Sequence, residues 1–261
     1  MDIALSTVSK PNRSRDSFPH TVRNVSRPPS PLPHSLPATG FTCAQARAVG
    51  ISRSRLRASD LHSPYWGIRA ATRTLDPIAR IRAAEPLLTH GRALGSISAA
   101  QFLGLPLPHH LRDHEKLIVA SPASTHRIKR NGIRSIRIRD DRFETVRFDG
   151  IPLLAPKTLA ASLARDLSPM ELTVVLDAMR SGAANYPGRR YLPQALLDPR
   201  QIRSLPGQFA GMHGIATLRT ACALSADGVE SPMETVLRVR LIESGFPVPE
   251  VNSTIQLGNG R

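Results

Sequence analysis

Long apolar runs are missing from this sequence. Every hydrophobic stretch is interrupted by Arg, Asp, Pro or Gly well short of the ~18 residues that a bilayer crossing requires, which excludes a spanning helix. Cysteine is scarce as well: Cys43 and Cys222 stand far apart, with no C-x-x-C partner and no histidine at metal spacing. That pattern excludes a disulfide framework and a zinc site and fits a reducing, cytoplasmic setting. No Ser/His/Asp order, phosphate-binding P-loop or dinucleotide fingerprint is present, because Gly91, Gly95 and Gly104 lack the spacing to cradle a phosphate. No internal repeat of solenoid length is evident.

Acidic residues are also few. Against 35 Lys and Arg there are 20 Asp and Glu, a formal net charge of +15 over 261 residues. The resulting field attracts polyanions, nucleic acid before anionic lipid. A second explanation stays open. The lysines are only Lys10, Lys116, Lys129 and Lys157, and arginine excess with abundant Ala and Pro also marks a GC-rich genome.

A hydrophobic content of 41% is enough to bury a core. Residues 1–40 are rich in Pro, Ser and Arg and poor in apolar anchors, so they read as a disordered basic tail. Their prolines forbid the amphipathic helix of a transit peptide, and they contain no secretory apolar core. Residues 41–75 read as a winged helix-turn-helix. Thr42 and Gln45 form a capping box, a short helix breaks at Gly50, and Ser52 caps a second helix carrying Arg53, Ser54, Arg55 and Arg57. Tyr65, Trp66, Gly67, Ile68 and Arg69 form an aromatic β-segment where a wing would lie.

Residues 76–228 read as an α+β domain. A helix starts at Asp76-Pro77 and stops near Pro86, and a small-residue helix at 98–103 ends at Gly104. The period then changes to two. Leu117–Ala120, Ile133–Ile138, Phe143–Phe148 and Ile151–Leu154 predict a small antiparallel sheet, with Asn131-Gly132 and Asp149-Gly150 as turns. Helices follow at Pro156–Leu167, Pro169–Arg180 and Gly214–Leu224, with a weaker one around Pro193–Leu197.

The tetrapeptide Ser-Pro-Met-Glu occurs at 168–171 and again at 231–234. In both places Ser is a helix cap, Pro takes the first turn and Glu closes a capping box, so Glu234 needs no catalytic role. Asp177 and Arg180 read as a surface pair. His109, His110 and His114 sit in a proline-flanked loop, which disfavours a metal site.

The segment from Phe41 to Arg57, with Tyr65–Arg69 after it, resembles the N-terminal winged helix of the AbiEi-type antitoxin family. Residues 96–106 and 174–180 resemble the segments that follow it in such proteins, particularly actinobacterial ones. Gly228–Glu234 and Glu243–Val251 are similar to the opening of a very-short-patch-repair endonuclease domain. The resemblance implies a winged helix-turn-helix, a mixed helical and small-sheet domain, and an incomplete restriction-endonuclease-like segment at 229–261, truncated before the later acidic positions. It also places Glu234 at the first acidic position of that core.

Two functions follow as expectations. The first is a DNA-binding regulator or type IV antitoxin-like protein in a toxin-antitoxin system. It would bind double-stranded DNA through Gln45, Arg53, Ser54, Arg55, Arg57, Tyr65, Trp66 and Arg69, with a cognate toxin as a further partner. The second is a fragment of a metal-dependent endonuclease. There Glu234 would be catalytic and contribute to a Mg²⁺ site, inactive as given because one carboxylate cannot position the ion and activate water. No cofactor is expected in this chain itself. Order is expected to be poor beyond about residue 228, where Val251, Ser253, Ile255 and Leu257 alternate as in a strand before the Gly258–Gly260 turn.

Overall fold

The computed structural model describes residues 28–72, 76–182, 186, 188 and 194–253. In chain order its elements are β1 (Phe41–Thr42), α1 (Cys43–Ala48), β2 (Ile68–Arg69), α2 (Pro77–Ala83), β3 (Ala93–Leu94), α3 (Ser96–Leu103), α4 (His109–Arg112), β4 (Leu117–Pro122), β5 (Ile133–Ile138), β6 (Thr145–Phe148), β7 (Ile151–Leu154), α5 (Pro156–Leu163), α6 (Pro169–Arg180), α7 (Pro199–Gln208), α8 (Ile215–Leu224) and α9 (Pro232–Glu243). Short 3₁₀ turns lie at Arg55–Arg57, Glu85–Leu87 and Asp140–Arg142. Among the described residues no helix is long and apolar enough to cross a membrane.

The chain is an α+β protein, but its main sheet is mixed rather than antiparallel. The strand order is β5-β4-β3-β7-β6, with β3 parallel to β7 and β4 parallel to β5. The two expected turns explain the correction. Asp149 and Gly150 both have positive φ, 45° and 80°, as a tight hairpin turn demands, and they join β6 to β7 antiparallel. Asn131-Gly132 closes no hairpin. Gly132 instead leads into β5, its carbonyl accepting from Leu117 N at 2.9 Å, and the chain from β4 crosses over to run alongside in the same direction.

Helices α3 and α5 lie close to the sheet because small residues permit it. A Cβ on Gly95 would stand 2.8 Å from Ile136 Cδ1 and 3.1 Å from Ala120 Cβ, so a larger residue would have to push the Ile136 methyl aside. Ser98 Oγ accepts from Ile118 N, and Ser162 Oγ accepts from Ser96 N, so two buried hydroxyls satisfy backbone donors. Leu117, Ile118, Val119 and Ala120 of β4 are all buried, as a run without polar alternation predicts for a strand covered on both faces.

Beyond the sheet, α6 packs against α8 and α9 around Asp177, which is fully buried. The surface-pair expectation is therefore overturned. Asp177 Oδ1 accepts from Ser225 Oγ and Ala226 N at 2.7 and 2.9 Å, and Oδ2 accepts from Thr235 Oγ1 and Arg238 Nη2 at 2.9 and 3.0 Å. Two donors from α9 thus converge on a carboxylate of α6. Residues 229–243 belong to this helical layer, and the expected loss of order after 228 does not hold for Val229–Ser253. The alternating strand falls mostly on 254–261, outside the described residues, while Val251–Asn252 form a bend.

The expected tail boundary also moves. Residues 28–40 are not a loose tail: Leu36 is buried with Phe41, Ala46 and Leu56, and Leu32 packs on that cluster. Residues 1–27 lie outside the described part.

Candidate nucleic-acid interface

The N-terminal unit starts as its sequence suggests. Gln45 N donates to Thr42 Oγ1 at 2.9 Å and Thr42 N donates to Gln45 Oε1 at 2.7 Å, a closed capping box on α1. Its second helix does not form. After the Gly50 turn, Ser52 Oγ accepts from Arg55 N, the chain makes one 3₁₀ turn at Arg55–Arg57, and Ala58 is extended. Serines that bond nearby backbone compete with helix propagation, and Ser52, Ser54 and Ser59 crowd this segment. The recognition-helix expectation is corrected to a single turn.

Arg55 causes much of that geometry. Only 9% exposed, its Nη1 and Nη2 meet Asp60 Oδ1 and Oδ2 at 2.8 Å each, and its Nε donates to Ser30 O at 2.6 Å. The Nε bond ties the turn to residues 28–40, and the bidentate pair holds the buried guanidinium against Asp60 and away from a base edge. Arg69 is similarly engaged, with Nε on Leu56 O at 2.8 Å and Nη1 on Ser63 Oγ and Ile68 O. Tyr65 is buried, and burial pushes its phenol up to about 12 despite the opposing charge of Arg80. Of the eight residues expected to contact DNA, Arg55, Tyr65 and Arg69 hold the unit together, Gln45 is exposed but engaged in the α1 cap, and Arg53, Ser54, Arg57 and Trp66 are exposed.

Trp66 is displayed by a turn. Ile68 N donates to Tyr65 O, and Gly67 at φ +81° takes the left-handed position that an ordinary residue would resist. The indole is left 73% exposed. Arg130, from the β4–β5 connection, places its guanidinium 5.5 Å from the indole centroid and donates from Nη1 to Trp66 O at 3.1 Å. Arg127 and Lys129 of the same connection are exposed and make no hydrogen bond or ion pair among the described residues. Sequence reasoning missed all three. Their clustering was visible, but the meeting of Arg130 with Trp66 is a tertiary contact that no local spacing encodes.

Glu234 is a local structural residue. Its Oε2 accepts from Glu230 N at 3.0 Å and its Oε1 from Ser231 Oγ at 2.7 Å. The expected capping box shifts by one residue here, whereas at α6 Glu171 does reach Ser168 N. Helix α4 ends at Arg112, so His110 and His114 share no helical face. Among the described residues no three His, Cys, Asp or Glu side chains are grouped to hold a metal ion, and both Glu234 oxygens accept capping hydrogen bonds.

No family model matches the chain, and neither a curated protein nor a solved structure matches it.

Proposed function

We propose that this chain binds double-stranded DNA through a basic, aromatic-tipped surface formed by Trp66 and Arg130 with Arg53, Arg57, Arg127 and Lys129. The observation that carries the reading is the exposed indole held under a guanidinium at a turn tip, on a chain of net charge +15. An exposed tryptophan costs a soluble protein apolar surface, and beside free cations it suits contact with sugars and base faces. Arg69 joins the turn bearing Arg53 and Arg57 to the strand after Trp66. Without a second helix to lay in the major groove, phosphate contacts supply most of the affinity and sequence discrimination is modest. A regulatory role of the antitoxin-like kind, with a toxin as partner, rests on the sequence resemblance alone.

Trp66 is the sole tryptophan, so its fluorescence reports on this surface directly. Titration with a duplex should change that emission. Affinity should fall steeply between about 50 and 200 mM salt, and Arg53→Ala with Arg57→Ala should flatten the slope by about one unit for each phosphate no longer neutralised. Unchanged emission, together with a salt slope in the arginine variants equal to that of the parent, would remove the proposal.

A further inference from the structure

At the opposite end of β5 lies a second basic feature. Strand β5 is an edge of the sheet, and a cleft of about 330 Å³ opens along its C-terminal half. Its walls are β5 and the following 3₁₀ turn (Ile136–Arg139 and Arg142), the end of α5 (Ser162 and Arg165), and the α7–α8 connection (Ala210–His213). Four arginines and one histidine line it, with no carboxylate among the lining residues.

Not all of that charge is equally available. Arg139 is paired with Asp141 at 2.9 Å. Arg142 donates to Ala210 O at 3.0 Å and lies 5.9 Å from the Phe209 ring centroid, which fixes the 209–213 wall. Arg137 and Arg165 make no hydrogen bond or ion pair among the described residues. Each lies in the field of a carboxylate outside the lining: Arg137 in that of Asp140, which also accepts from Ser124 N, and Arg165 in that of Asp166, which also accepts from Arg134 and Ser96. The charge of these two side chains is therefore offset only from outside the cleft; four arginines and a histidine with no carboxylate among the lining residues leave it an excess of positive charge that an anion would balance.

The rest of the lining narrows the ligand. Ala210 and Met212, with the buried Ile136 and Ile138 beneath, give the cleft apolar surface that a bare inorganic ion would not use, and the volume is at the lower end of small-ligand sites, roughly 300 to 1,000 Å³. A duplex is too wide to enter such a space. We infer that the cleft is a binding site for a phosphorylated small molecule of mononucleotide size, with Arg137 and Arg165 on the phosphate and the apolar wall against the ring. It is separate from the Trp66 surface. The two share no residue: Arg130 precedes the start of β5, and the cleft begins at Ile136, three residues or about 10 Å beyond Ile133 at ~3.3 Å per residue.

Calorimetric titration of the full chain with AMP, adenosine and inorganic phosphate as separate probes tests this. AMP should saturate at one per chain and bind at least about tenfold more tightly than either adenosine or phosphate, since each lacks half of the recognised chemistry. Arg137→Ala with Arg165→Ala, at two side chains with no hydrogen bond to lose, should weaken AMP about tenfold or more. Trp66→Ala should leave AMP binding unchanged. Absence of AMP binding, equal binding of phosphate, or indifference to the arginine pair would overturn the inference. So would a double variant that weakens duplex binding as much as Trp66→Ala does, since the cleft would then be part of the DNA surface.

Discussion

Asp166 and Asp177 are built alike yet respond oppositely. Each accepts from a serine hydroxyl and from one arginine, Arg134 for Asp166 and Arg238 for Asp177, and Asp166 also has Arg165 nearby. Burial pushes both carboxyls up. At Asp166, 14% exposed at the end of α5, the hydrogen bonds from Arg134 and Ser96 and the nearby guanidinium charges prevail, and the carboxyl is held below its ordinary value of 3.8. At fully buried Asp177 burial prevails over four donors, and the carboxyl rises above 3.8. Partner number does not decide the sign; the access of water does.

The largest expected effect comes from removing the more buried member. Asp177→Ala should cost about 3 to 5 kcal/mol, because Arg238 would be left buried without its counterion and Thr235 and Ala226 without an acceptor. Asp166→Ala should cost less, because Arg134 is partly exposed and water can take over its donors. Urea unfolding of the two variants measures the contrast, and equal losses would break it.

The pH dependence sharpens the same comparison. Asp166, with its depressed folded value, contributes stability that is fully present above 3.8 and is lost as the pH falls through that lower value. Asp177 has the opposite sign. Its folded form binds a proton more readily than the unfolded chain does, so its contribution declines as the pH rises from 3.8 through the higher folded value. Parent-minus-variant stability curves for Asp166→Asn and Asp177→Asn should therefore slope in opposite directions under acid conditions. Parallel curves would mean that the two sites do not differ in the way described.

The smallest effect concerns the helices that meet at Asp177. Glu171→Ala opens the capping box of α6 and should cost up to about 1 kcal/mol. Glu234→Gln keeps an acceptor for Glu230 N and should stay within about 0.5 kcal/mol in thermal unfolding. A large loss at Glu234→Gln alone would show that its charge does more than cap.

Local chemistry was legible in the sequence and long-range company was not. Asp149-Gly150 announced a hairpin and formed one, and Thr42 with Gln45, Asp76 and Ser168 with Glu171 marked helix starts correctly. Helix α7 escaped notice because Pro206 and Gly207 lie inside its last turn, although Asp198, Pro199 and Gln201 spell out a capped start. Arg55 looked like a DNA contact because three arginines in a row of five give no hint which one turns inward to Asp60. Asp177 looked exposed because a three-residue spacing to Arg180 cannot foresee Thr235 and Arg238 arriving from a helix some 60 residues later.

The two-residue strand β3 has a consequence for the time course of folding. Its partner β4 follows within a short stretch of chain, and β6 with β7 can close as a local hairpin, but Leu94 meets Leu153 only by a parallel pairing across the whole β4–β6 excursion. Closing so long a loop is entropically slow, whereas the flanking pairs are quick. The two halves of the sheet therefore form first and join at the middle last. Until residue 153 has left the ribosome, the β3 edge that β7 will occupy stays uncovered, which makes the nascent chain most vulnerable to strand-to-strand association at what becomes its most protected layer.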